Sequence, residues 1–371
     1  MNKLYIALLL LLVFSCKQTP KHTPFSKAPL TKYAGFFSFE KHNDFSLLRI
    51  RPTTSASDNE QVYVLSRSYN NVPDSLKSIS FIKIPVKNMV VTSTTHLPAL
   101  TMLQEENALS GFPGTRYISS PSIRKKIEEN KIKETGFQGQ LNIETILNLQ
   151  PELLMLSAGA ENQNIELLKK NGIPVLYNAD WLESTPLGRA EWIKVFGLLF
   201  DKSRQADSIF KDIEKKYLSV QQAVKTQANK PVVFQGGKFG DKWYVPGGKS
   251  YAVKLIQDAG GKYSWDDDKH TGSIGLNYEN VLMKLPHADI WLNPGMYNTR
   301  LALQKNIPEI QKIPAFKTHK IYTYNLKKGS TGGVLYFEYS NAHPDWVLED
   351  LYHIFYPQAQ AYSFHFYERL P

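Results

Sequence analysis

From residue 88 onward the chain alternates short apolar runs with longer amphipathic ones, in two blocks separated by a stretch that is helical throughout. The first block reads "NMVVTSTTH" as a strand ending in small polar residues, "PALTMLQEENAL" as a helix and "SGFPGTRYISSP" as a loop. It continues with "IETILNLQ" as a helix, "PELLMLS" as a strand, "NIELLKKNG" as a helix closed by Gly172, and "IPVLYNAD" as a strand. Strands that alternate with helices build a mostly parallel sheet with helices on its faces. Between 187 and 228 no strand signal occurs. There "AEWIKVFGLLF" puts Trp192, Val195, Phe196 and Leu199 on one helical face, and Trp192 is expected in the core. The run from Ser203 to Ala228 continues as helix for roughly 39 Å at about 1.5 Å per residue. After "NKP" the alternation resumes with "VVFQGG", "KWYVPGG", "SYAVKLIQDAGG", "YENVLMKL", "ADIWLNPG", a helix near 301–312, "KIYTYN" and a closing helix "PDWVLEDLYHIF". The expected fold is α/β: two lobes, 89–186 and 229–371, each with a central mostly parallel sheet, joined by a helical bridge over 187–228 that contains one long interdomain helix.

Ahead of these lobes, residues 31–88 alternate with a period of two between turn signals such as "HND", "ASDNE" and "NVPDS", which predicts a small antiparallel β element. Residues 17–30, "KQTPKHTPFSKAPL", read as a flexible tether. The first fifteen residues have the charged start (Lys3) and the apolar run, Leu4 to Phe14, of a secretory signal peptide, and the run is short for a membrane span. Ser15 and the lone Cys16 after it resemble a bacterial lipobox, "VFSC", so that Cys16 would be the lipidated N-terminus of a tether over 16–30. The plain alternative is a signal peptide with an incidental cysteine. The expected location is exported, in the periplasm or cell envelope and lipid-anchored to a membrane. A lone cysteine leaves no disulfide, so stability must come from cores, for which 42% hydrophobic and 12% aromatic residues suffice. The net charge of +10 is spread over lysines interleaved with acids, as in "KDIEKKY", which reads as solvated surface. Export argues against a nucleic-acid partner.

Enzyme signals fail when tested. "GGKS" at 247–250 resembles the end of a phosphate loop, but the pattern needs glycine where Trp243 stands. "TGSIG" has Thr271 where a nucleophile elbow needs glycine. There is no HExxH or CxxC, and the nine histidines show no metal-ligand spacing on one helix. No cofactor, catalytic residue or resident metal is expected.

One sentence is written twice. "LNIETILNLQPELLML" (141–156) and "LNYENVLMKLPHADIWL" (276–292) share Leu141/Leu276, Asn142/Asn277, Glu144/Glu279, Leu147/Leu282 and Pro151/Pro286, once per lobe. Asn142 and Asn277 are good N-caps, and Glu144 and Glu279 then sit in the first helical turn, where the dipole favours a carboxylate. Singly each is an ordinary helix residue. As a pair they form a two-point handle for a partner with basic sockets.

Together with "VVTSTTHLPAL" and "GIPVLYNADWLESTPLGRAEWIKVFGLLF", these motifs resemble the periplasmic substrate-binding proteins of ABC importers for iron-siderophore, haem and vitamin B12, over about residues 88 to 356. Residues 31–88 lie outside the common family core. The resemblance implies two α/β lobes on a stiff bridging helix, and one glutamate per lobe docking on arginines of a dimeric permease, with Glu144 and Glu279 at those positions. It further implies a monomeric receptor that captures a metal chelate between the lobes. The competing readings are an exported enzyme on the same scaffold, and a glycan-binding or adhesion lipoprotein whose 31–88 element carries the binding.

Ligands of open α/β sheets bind beyond the carboxyl ends of strands. The loops expected there supply Thr95, His96, Phe112, Arg116, Tyr117 and Trp181 from the first lobe and Trp243, Tyr244, Tyr297 and Phe337 from the second. Broad aromatic walls with few cations suit a large, partly apolar, oxygen-bearing chelate. Trp243 and Tyr244 are favoured because they precede the turn "PGG". Arg116 is open between a ligand anion and a structural glutamate, and Asp180, Glu183, Arg189 and Glu191 read as a network that stabilises their loop.

Overall fold

The computed structural model describes residues 31–51, 60–137, 139–159, 164–357 and 361–371. The signal segment, Cys16 and the tether to residue 30 lie outside the described residues.

The N-terminal sheet is formed by β1 (Phe37–Lys41), β2 (Phe45–Ile50), β3 (Gln61–Ser66) and β4 (Ser80–Lys83), in that order. Its first three strands are antiparallel, as expected, and β4 is added parallel to β3. The connection from 67 to 79 is long enough to run back, so β4 starts level with the middle of β3. Alternation puts Phe37, Phe39, Leu48, Ile50, Tyr63, Leu65 and Ile82 on one face. That face shares a single core with Met89, Val91, Trp192 and Phe196. The sheet is thus a third layer of the first lobe.

The first lobe runs through β5 (Met89–Val91), α1 (Leu97–Met102), β6 (Leu109–Phe112), α2 (Pro121–Glu128), β7 (Lys133–Glu134), α3 (Ile143–Leu149), β8 (Leu153–Ser157), α4 (Ile165–Lys170) and β9 (Val175–Asn178). The five strands of its main sheet are all parallel, in the order β9-β8-β5-β6-β7. Successive residues serve opposite faces: Met89 and Val91 enter the core shared with the N-terminal sheet, while Val90 and Leu154 pack against α3 and α4. The long helix expected over 98–109 stops at α1, because Gln104 takes a left-handed conformation (φ 58°). Residues expected as helix end and loop instead form the strand β6.

The bridge consists of α5 (Pro186–Glu191), α6 (Ile193–Leu199) and α7 (Ser203–Val224). At 22 residues α7 is one turn shorter than expected. Its apolar stripe explains its role. Ala206, Phe210 and Ile213 belong to the core of the first lobe, whereas Tyr217 and Val224 belong to that of the second. One rigid helix is therefore part of both cores.

The second lobe contains β10 (Val232–Gln235), β11 (Gly237–Phe239), β12 (Lys242–Pro246), α8 (Tyr251–Asp258), β13 (Lys262–Tyr263), β14 (Ser273–Leu276), α9 (Tyr278–Lys284), β15 (Ile290–Leu292), α10 (Arg300–Asn306), β16 (Ile321–Thr323), α11 (Leu335–Tyr339), α12 (Pro344–Phe355) and β17 (Glu368–Arg369). The main sheet has the order β13-β10-β15-β16-β17 and is parallel except for β17. A separate antiparallel sheet, β11-β12-β14, stands beside it. Once the two-residue edge strand β7 is set aside, the first strand in each lobe lies between the second and the third, and the fourth lies outside the third. The repeated sentence is the helix and strand of the third unit in each: α3–β8 and α9–β15.

Candidate functional site

Because β5 in the first lobe and β10 in the second each have their neighbours on opposite sides, each sheet has a switch point beyond its carboxyl ends. The residues found there face one another. A cavity of about 320 Å³ lies between the lobes, lined by Thr92, Ser93, Thr94, Phe112, Pro113 and Tyr117 on one side and Gly333, Val334 and Phe337 on the other. A second of about 520 Å³ opens in the second lobe, where Gln235, Asn293 and Tyr324 stand at strand ends and Tyr244, Met296 and Tyr297 form walls. Tyr324 joins the two: its ring stacks on Tyr336 at 3.9 Å and meets the edge of Phe337 at 5.5 Å. Such faces are rigid and amphipathic, suited to holding a broad ligand at low entropic cost.

The segment 328–341 of the second lobe crosses to the first and fixes the cleft. The buried Glu338 carboxylate accepts hydrogen bonds from the backbone amides of Ser119 (2.5 Å) and Ser120 (2.9 Å). Burial pushes its pKa up, and these two amides pull it back. Ser119 Oγ donates to the Gly333 carbonyl at 3.0 Å. A Cβ on Gly333 would stand 2.2 Å from the Tyr117 carbonyl oxygen, so only glycine allows this approach. Deeper in, Arg189 donates to Asn341 Oδ1 (3.0 Å), Asn341 Nδ2 donates to Asp180 (3.2 Å), and the Arg189 guanidinium lies 3.7 Å from the Tyr251 ring centre.

Of the four charged residues expected to form an ion network in their loop, Arg189 bonds the loop carbonyls of Trp181 and Glu183 and Asp180 accepts from Asn341, but among the described residues no ion pair joins the four, and the two glutamates turn to the N-terminal segment. Buried Glu191 accepts from the amides of Lys32, Tyr33 and Ala34, and Glu183 from those of Gly35 and Phe36 and from Trp192 Nε1. These carboxylates hold residues 32–36 against the bridge. Burial raises the Glu183 pKa against these hydrogen bonds.

Of the ten expected ligand-contacting residues, Phe112, Tyr117, Tyr244, Tyr297 and Phe337 line the cavities. Trp243 does not, and this is a correction. It is 0% exposed, packed edge-on to Phe234 (5.9 Å) and against Trp291 in the second-lobe core. The segment "KWYVP" is a strand, so successive side chains point to opposite faces: Trp243 enters the core and Tyr244 the cavity. His96 is likewise fully buried, with neither ring nitrogen hydrogen-bonded, and burial pushes its pKa down to about 4. Thr95 lines a small internal space beside Asp180, Arg189 and Asn341, away from the open cleft. Trp181 is exposed, its indole Nε1 donating to the Ala158 carbonyl at 3.0 Å, and it lines neither cavity. Arg116 is exposed and sandwiched between the rings of Tyr117 and Phe137, each 4.7 Å from its guanidinium carbon, and donates to the Tyr117 hydroxyl. Among the described residues no carboxylate pairs with it. Sequence reasoning did not single out Gln235, Asn293 and Tyr324, which lie toward the carboxyl ends of the expected segments "VVFQGG", "ADIWLNPG" and "KIYTYN" with no other signal to mark them.

A wider concavity, about 850 Å³, is elsewhere, between the N-terminal sheet and the α6–α7 corner. Two of its cations are engaged within the protein, Arg67 with Asp201 and Lys202 with Glu105.

Glu144 and Glu279 occupy matching places. Asn142 Oδ1 accepts from the Thr145 amide (3.0 Å) and Asn277 Oδ1 from that of Asn280 (3.1 Å), so both asparagines cap their helices as expected. Both glutamates are exposed in the first turn.

Residues 89–326 match the sequence profile of the periplasmic binding protein family. The chain belongs to that family. This is a family of binding proteins, and neither it nor the similar solved structures are enzymes. As a periplasmic binding protein the chain is similar to a periplasmic haem-binding protein from Vibrio cholerae, with a TM-score of 0.58 and 16% identity over 73% of this chain and all of that one (100%). A periplasmic haem-binding protein from Pseudomonas aeruginosa is similar at a TM-score of 0.57 and 18% identity, covering 76% and 97%. These likenesses are of fold. An uncharacterized lipoprotein of Methanocaldococcus jannaschii is 25% identical over 314 residues, 81% of this chain and 73% of its own length.

Proposed function

We propose that this periplasmic binding protein is the substrate-binding lipoprotein of an ABC importer. In this reading it is exported, held to a membrane through lipidated Cys16, and acts as a monomer. It captures a metal chelate (iron-siderophore, haem or corrinoid) between its lobes and delivers it to a dimeric permease that docks on Glu144 and Glu279. The observation that carries the reading is the aromatic wall of Tyr324, at a strand carboxyl end, and Phe337, on α11, both packed on Tyr336 between two lobes that share one helix. The similar solved structures named for haem and the lipoprotein relative support it. All three chelate classes are coloured. Protein purified from its native cells should therefore carry a visible absorbance band that is lost on denaturation and dialysis. A preparation with no visible band, whose refolded protein also takes up none of the three classes, would sink the reading.

A further inference from the structure

The walls of the cleft are nearly uncharged. No acidic side chain lines either cavity, and Lys238 is the single charged residue of the two linings. It stands exposed at the rim, close enough to Glu309 to help hold that carboxyl below its usual range. On the opposite rim Arg116 is occupied by two aromatic rings. The remaining polar side chains of the linings carry hydroxyls and amides. Gln235, at the carboxyl end of β10, is only 9% exposed and lines the larger cavity, yet its carboxamide has no hydrogen-bond partner among the described residues. Its neighbour Asn293 differs: it accepts from the Tyr324 amide and donates to Tyr367 Oη. An amide that faces a cavity with no partner in the protein offers a free donor and acceptor to a bound group. Placing several negative charges against these walls would leave them without counter-charges, at a cost a neutral ligand does not meet.

From this, and resting on the substrate-binding reading above, we infer that the cleft selects a chelate of little or no net charge bearing amide or hydroxamate groups, and that Gln235 hydrogen-bonds to one of them. The test is calorimetric titration of the ligand-free mature protein with four probes: a neutral ferric trishydroxamate, cyanocobalamin, haemin and a ferric tris-catecholate. One of the two amide- or hydroxamate-bearing probes should bind at least about tenfold more tightly than haemin or the tris-catecholate. Its Kd should change little between about 0.05 and 0.5 M NaCl, as expected when charge is not the attraction. Gln235→Leu should weaken that binding about tenfold while leaving the melting temperature unchanged or raised, because the fold loses only an unpaired amide. Tighter binding of haemin or the tris-catecholate overturns the inference and leaves the substrate-binding reading standing, as does undiminished affinity in Gln235→Leu. Binding of none of the four overturns both.

Discussion

Trp243 and Tyr244 are adjacent, and nothing in their chemistry separates a core residue from a cavity residue. The strand does. Trp243→Ala removes a large side chain from a closed aromatic cluster and should cost about 3–5 kcal/mol of unfolding free energy, measured by denaturant titration. Tyr244→Ala removes an exposed ring and should cost little stability. A stable Trp243→Ala protein with reduced chelate affinity would restore it to the cleft. His96 makes a second prediction. Its folded pKa lies near 4, below the ordinary value of 6.5, because burial disfavours the imidazolium. Between these values the unfolded chain takes up a proton that the folded chain refuses, so stability is lost as pH falls through this window, by about 3 kcal/mol in all. In His96→Leu, unfolding between pH 7 and 4 should lack this part of the acid dependence. Equal slopes for both proteins would mean that the imidazole is hydrated in the fold.

At the scale of elements, α3 and α9 are the informative pair. Each has an asparagine cap, an exposed glutamate in its first turn and a core strand behind it. Glu144→Ala and Glu279→Ala should each change stability by a few tenths of a kcal/mol, the helix-dipole contribution of an exposed first-turn carboxylate. Chelate affinity should be unchanged, since neither glutamate lines a cavity. Chelate-stimulated ATPase of the reconstituted importer should fall in each single variant and collapse in the double, as for truncation of charges across an interface. Normal stimulation by the double variant would reduce the glutamates to first-turn helix residues and the repeat to scaffold duplication. The residues that missed their expected elements have local causes. The left-handed Gln104 ends α1 early, and Leu109–Phe112 join the sheet as β6 because they pair with β5 on one side and β7 on the other.

For the whole molecule, α7 sets the mechanics. Phe210 and Ile213 are buried in one lobe and Tyr217 and Val224 in the other, so a large hinge motion would have to tear an apolar face from a core. Glu338 and Arg189 add hydrogen bonds across the same junction. Small-angle scattering should give nearly the same radius of gyration with and without a bound chelate, and a contraction of several ångströms would contradict this architecture. The N-terminal sheet bears on the adhesion reading. It shares its buried face with the first lobe, so deleting residues 31–88 should expose that core and abolish folding, where a separate binding module would leave the lobes intact.

Periodicity carried the two lobes, the helical bridge, the repeated helix-strand unit and its caps, because alternation and capping are properties of neighbours along the chain. Five of the ten expected cleft residues, Phe112, Tyr117, Tyr244, Tyr297 and Phe337, could be reached by the same logic, as they come after strands or flank turns. The burial of His96 and Trp243 could not, nor could the clasp of Glu183 and Glu191 on the amides of residues 32–36, whose partners stand about 150 residues away. The crossing segment that closes the cleft and the unpaired amide of Gln235 belong to the same class. A side chain's exposure, and whether its polar atoms find partners, depend on which surfaces meet when the sheets, the bridge and the segment 328–341 pack together, and that meeting is made only in three dimensions.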